Sequence, residues 1–167
     1  MREDIKLNNL IFPIWMMWIL PPVALVALIG NFIIDSIVIF LAFWLFKVVN
    51  STGRTIGQLY KKTILKVWVF GFLSDIIGAI ILFVISLCTG SNYELLEAIS
   101  YDPFMSLSSF LIVFGAMLVA GYMIYVFNYY IVFNKIITEK KIRFKVALTI
   151  AIVTIPWTYL IPTKFIY

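Results

Sequence analysis

The sequence predicts an all-α fold, a polytopic bundle of transmembrane helices that forms one integral membrane domain over residues 1–167. Three observations predict it. Of the 167 residues, 63% are hydrophobic and 13% are charged, against roughly 45–50% and about 25% in soluble domains. Several uncharged runs reach about 20 residues, the length that crosses a hydrocarbon core of roughly 30 Å. No polar stretch exceeds about twenty residues, so no separate soluble domain is expected.

Apolar segments run, to within a few residues, over 10–29, 31–48, 67–88, 104–133 and 146–162. Taking each as a span gives five crossings, with Gly30-Asn31 as a tight turn between the first two. The alternative is four crossings. An interfacial or re-entrant N-terminal helix over 8–20 would stop at Pro21-Pro22, and one tilted helix would run from 22 to 48. Trp44 and Trp68 flank the first basic loop, where an interfacial aromatic belt is expected. Trp15 and Trp18 join that belt in the five-crossing arrangement and form a separate one in the other.

Charge sets the orientation. The loop 47–66 holds Lys47, Arg54, Lys61, Lys62 and Lys66 with no acid, and 135–145 holds five bases against Glu139. Residues 89–103 hold Glu94, Glu97 and Asp102 with no base. Lys and Arg accumulate on the cytoplasmic side. A multi-pass protein of the cell membrane is therefore expected, with both basic loops cytoplasmic and 89–103 external. The same loops account for the net charge of +5. Their expected partners are anionic lipid headgroups of the bilayer, not nucleic acid.

Histidine is absent and Cys88 is the sole cysteine. These counts exclude an internal disulfide and a Cys/His zinc site. No cofactor and no catalysis are expected. The loop STGRTIGQLYKK lacks phosphate-loop spacing. Intramembrane aspartyl proteases pair a Tyr-Asp dipeptide in one helix with G-x-G-D in the next. Here Tyr101-Asp102 lies in a loop and Gly71, Phe72, Leu73 and Ser74 precede Asp75, so that pattern is absent.

Two carboxylates interrupt the apolar runs, Asp35 in NFIIDSIVIF and Asp75 in GFLSDIIGAI. Asn31, Asp35 and Ala42 share one helix face; Gly71, Ser74, Asp75 and Gly78 form a small, polar stripe in the next segment. Small residues let helices approach closely in lipid. Asp35 is twelve residues from Lys47 and Asp75 nine from Lys66, a depth difference of roughly 5 Å at about 1.5 Å per residue. No Lys, Arg or His lies in the apolar cores. A charge at mid-bilayer costs at least about 2.5–3.5 kcal/mol. A proton or a cation should therefore neutralise the pair. Asn31, Ser36, Ser74 and Asn128 could complete a shell of oxygen ligands, which suits sodium, magnesium, calcium or a proton. No particular metal is implied. The structural alternative has Asp75 hydrogen-bonded at a helix contact and Asp35 snorkelling or capping.

Gly71 and Gly78, with Ala116, Ala120 and Gly121 in the fourth segment, are the expected helix-packing positions. Tyr122, Tyr125, Tyr129 and Tyr130 read as an interfacial belt, and PWTYLIP as a kinked short helix. Function follows as transport or channel-like passage of a cation, proton or small solute through intramembrane carboxylates. The alternative is a non-catalytic accessory or assembly subunit of a larger membrane complex. A homo-oligomer or a membrane-protein partner is expected for so small a bundle.

Overall fold

Proline and local capping set the helix ends in this computed structural model, which describes residues 13–90 and 92–165. A 3-10 turn, Ile14–Ile19, precedes α1, Pro21–Leu45. Two prolines open α1, where their missing N–H groups are not needed. Lys47, in the left-handed region at φ 51°, breaks the chain between α1 and the short α2, Val48–Thr52. Gly53, at φ 64°, ends α2. α3, Ile56–Cys88, starts on a reciprocal cap in which Thr55 and Gln58 satisfy each other's backbone N–H. α4, Tyr93–Tyr101, is capped by Asn92. α5, Leu107–Val126, starts on a Ser106/Ser109 cap and widens into a π-helix, Phe127–Val132. α6, Lys140–Thr154, stops before Pro156 and continues as a 3-10 turn, Trp157–Leu160.

Four of these helices are long and apolar enough to cross a membrane: Pro22–Leu45, Ile56–Cys88, Leu107–Val132 and Lys140–Leu160. The five-crossing count is thereby corrected to the four-crossing alternative among the described residues. Gly30-Asn31 is no turn; both residues lie inside α1. A lone glycine costs a helix only about 1 kcal/mol, and Asn31 turns its amide toward α3 rather than into a loop. α3 begins eleven residues ahead of its apolar run, carrying Lys61, Lys62 and Lys66 on helix. At about 1.5 Å per residue its 33 residues span roughly 50 Å, well beyond the hydrocarbon core.

The helices form a ring in which α1 touches α3 and α6, and α5 touches α3 and α6. Two cores fill it. At the end carrying the basic loops, Ile39 and Phe43 of α1 pack with Leu59, Val67, Phe133, Ala147 and Ile150. At the end carrying α4, Trp15, Ala79, Leu82, Val113, Met117, Ile155 and Tyr159 pack together. Among the described residues, none from α1 belongs to this second core.

Small residues make the close approaches. A Cβ on Gly78 would lie 3.0 Å from the Tyr159 ring and hydroxyl and 3.1 Å from Ala120 Cβ. One on Gly121 would lie 2.5 Å from Ile155 Cδ1. Ala116 and Ala120 are buried at the same contact.

Candidate functional site

The absence of α1 from the second core leaves a cavity of about 490 Å³ between α1, α3 and the end of α6. Val23, Ala27, Gly30, Asn31, Ile34 and Asp35 line it from α1; Gly71, Phe72, Asp75 and Ile76 line it from α3. Residues 153–159 close a third side. Ile14, Trp15 and Met17 cover the end nearest α4. That cover is tied down. The Trp15 indole N–H donates to the Ile99 carbonyl at 3.3 Å, and the Ile14 N–H donates to Thr163 Oγ1 at 3.2 Å. Thr163 in turn donates to the Ser100 carbonyl at 2.9 Å.

Both aspartates face this space. Asp35 is 4% exposed and has no hydrogen-bond or ion-pair partner among the described residues. Its Oδ2 would touch a Cβ on Gly71 at 3.5 Å, which places the carboxylate one helical turn from Asp75. Asp75 Oδ2 accepts from Asn31 Nδ2 at 3.4 Å; its Oδ1 is buried without a partner. The Tyr159 hydroxyl donates to the Asp75 backbone carbonyl and so joins the turn after α6 to α3. No Lys, Arg or His lines the cavity among the described residues.

Of the six residues expected at a polar centre, the structure brings three together: Asp75, Asp35 and Asn31. The other three lie elsewhere. Ser74 is fully buried away from the cavity and donates to its own helix at the Phe70 carbonyl, 2.7 Å. Ser36 donates to the Phe32 carbonyl at 2.6 Å and pairs with the Tyr60 hydroxyl at 2.9 Å. Asn128 sits in the π-helix and donates to the Ile124 carbonyl at 2.9 Å, its Oδ1 unpartnered. The small stripe of α3 therefore serves two neighbours. Gly71 and Asp75 face α1, whereas Gly78 meets α5 and Tyr159.

No group of three or more His, Cys, Asp or Glu side chains that could hold a metal ion occurs among the described residues. The cavity offers two carboxylates and an amide. The turn after Thr154 adds the end of α6, whose partial negative charge favours a cation.

Three further residues carry roles that their sequence context does not signal. Trp68 joins α3 to α1. It sits thirteenth in α3, and its indole donates to the Leu28 carbonyl of α1 at 2.9 Å. Asp102 caps the turn at Phe104 and pairs with Lys164. That ammonium holds the Asp102 carboxyl below the ordinary carboxylate value. Arg143 is buried, with its guanidinium 4.5 Å over the Tyr129 ring and its Nη1 bonded to the Asn134 carbonyl at 3.2 Å and to the Asn134 side chain. Compared with protein-family models, with curated proteins and with solved structures, the chain matches none.

Proposed function

We propose that the chain is a small multi-pass protein of the cell membrane that carries a cation, a proton or a small solute, with Asp75 and Asp35 as its polar centre. The observation that carries this reading is that Asp35, which is buried, and Asp75, half-buried with its Oδ1 buried and unpartnered, share one cavity with no cationic side chain on its walls among the described residues. Asp35 lies ten residues from Leu45, about 15 Å along α1, too deep to reach headgroups easily. Unpaired charge at that depth is expensive. The pair must hold a proton or admit a cation, and exchanging one for the other is the elementary step of coupled transport.

Both basic loops are cytoplasmic in this proposal and α4 is external, as the Lys/Arg asymmetry argues. A single α1 crossing then puts Pro21 on the external side. Anionic headgroups meet the basic loops, and a second copy of the chain completes a bundle of this size. No chemistry is catalysed. An accessory role draws less support, because the small stripe that would dock a foreign helix is occupied within the chain by Ala120 and Tyr159.

The test is infrared difference spectroscopy of purified protein, following the carboxyl C=O band from about pH 5 to 9, a range in which exposed aspartates stay ionised. The wild type should show a band that disappears as protons leave or as sodium is added, and Asp75→Asn should remove or displace it. A featureless difference spectrum, the same in wild type, Asp75→Asn and Asp35→Asn, would end this reading.

A further inference from the structure

We propose that the cavity takes a lipophilic organic cation, an ammonium or phosphonium centre carrying an aromatic or alkyl body, which enters sideways from the bilayer between α1 and α6. The inference rests on the reading of Asp35 and Asp75 as a charge-accepting centre and names the class of ligand that centre receives.

Size argues first. A single water needs about 10–15 Å³ of such volume, so a bare sodium ion or proton leaves most of the roughly 490 Å³ unfilled. Cavities that take organic ligands run from about 300 to 1,000 Å³. The walls argue next. Most lining side chains are apolar, among them Val23, Ile34, Ile76, Val153 and Trp157. Such walls hold water poorly and hold hydrocarbon well. The exceptions converge on one spot. Asp35 is unpartnered among the described residues and aimed into the space, and Asp75 Oδ1 is unpartnered beside it. A ligand that satisfies both features has a cationic centre and an apolar body, and the rings of Trp15, Trp157 and Tyr159 suit a cation's field as well as its bulk.

The route follows from the helix geometry. Gly30 and Ile34 each precede a residue that faces α3, so they are turned about 100° away from it, toward the α6 side. Ile34 is 49% exposed, and across the gap Val153 is 48% and Trp157 54% exposed. The end nearest α4 is covered by the tethered Ile14–Ile19 turn. The side open to lipid is therefore the way in, and a ligand dissolved in lipid is the one that meets it.

The experiment uses the purified full chain in lipid nanodiscs and three probes. Tetraphenylphosphonium has the charge and the body; tetramethylammonium has the charge alone; tetraphenylborate has the body with opposite charge. Equilibrium dialysis should show saturable tetraphenylphosphonium binding, weakened about tenfold or more by Asp35→Asn and by Asp75→Asn. The other two probes should bind at least about tenfold more weakly to wild type. Gly30→Leu adds a side chain at the entrance, at a position with nothing within 4 Å, so the fold should tolerate it. It should slow tetraphenylphosphonium uptake even if an aspartate variant fails to fold. Binding that both Asn variants and Gly30→Leu leave unchanged, or equal binding of tetraphenylborate, overturns the proposal. If tetraphenylphosphonium fails to bind while the carboxyl band still responds to protons and sodium, the organic-cation inference falls and the charge-accepting centre stands. If both are silent, both fall.

Discussion

Replacing Gly78 with alanine adds one methyl group where three elements meet. The new Cβ would sit 3.0 Å from the Tyr159 ring and hydroxyl and 3.1 Å from Ala120 Cβ. Neither neighbour yields cheaply. Ala120 has no rotamer to change, and Tyr159 is held by its bond to the Asp75 carbonyl. Overpacking of this kind costs about 1–3 kcal/mol. Alanine also restricts the unfolded chain, a gain of about 0.4–1 kcal/mol at a compatible site. Gly115→Ala supplies that gain alone, because Gly115 lies inside α5 with nothing within 4 Å. The difference between the two variants therefore isolates the overpacking cost, and Gly78→Ala should be the less stable by about 1–3 kcal/mol. Unfolding in mixed micelles titrated with SDS, followed by tryptophan fluorescence, measures it. Equal stability of the two variants would refute the close approach of α3, α5 and Tyr159.

Orientation can be read by labelling. In a Cys88→Ser background, a membrane-impermeant thiol reagent added outside intact cells should modify Glu94→Cys and spare Thr55→Cys; the reverse would invert the arrangement. Asp102 carries a pH dependence. Its carboxyl is lowered in the folded state, so the Lys164 pair stabilises the fold above the unfolded value near pH 3.9 and that contribution fades as pH falls below it. Asp102→Asn should flatten this acid limb, with a loss at neutral pH of about 0.2–1 kcal/mol because Lys164 is 40% exposed. Arg143→Met should cost about 1.5–3 kcal/mol in the same micelle titration, since it deletes charged hydrogen bonds to both oxygens of Asn134. A neutral result would mean that the guanidinium does not hold the turn before α6.

Much of the fold follows from local chemistry that a sequence displays. Uncharged runs mark the spans, and Gly78, Ala120 and Gly121 mark close contacts because only small side chains permit them. The depth of the aspartates was also legible. A difference of roughly 5 Å is about one helical turn, and Asp35 lies against Gly71, one turn from Asp75. The errors share a cause. Gly30-Asn31 resembles a turn, but the amide of Asn31 is directed by Asp75, 44 residues away. Gly71, Ser74, Asp75 and Gly78 look like one stripe, yet Ser74 and Asp75 are consecutive and point about 100° apart. That width is enough for the stripe to be shared by two neighbours. Tyr159 is 84 residues from the carbonyl it binds, and Trp15 is 84 from Ile99. No local pattern signals either contact, because each exists only once the bundle has closed.

The uneven placement of α1 has a mechanical consequence. The helix is packed at one end, where Val38, Ile39, Ala42 and Phe43 are buried in the first core; among the described residues it contributes nothing to the second, and its other end is held through Leu20 by the Ile14–Ile19 turn. The helix is a lever with its pivot near Val38. From there to Pro22 is sixteen residues, about 24 Å of arm, so a tilt of roughly 10° carries the tip about 4 Å. The same tilt moves atoms about 4 Å from the pivot by less than about 1 Å. Widening the gap to α6 by such a tilt leaves the first core packed, but it must carry or strain the Ile14–Ile19 turn, which runs into α1 through Leu20 and is tied down at Ile99 and Thr163. The stiffness of the lever is set on the α3 side by the Trp68–Leu28 and Asn31–Asp75 tethers.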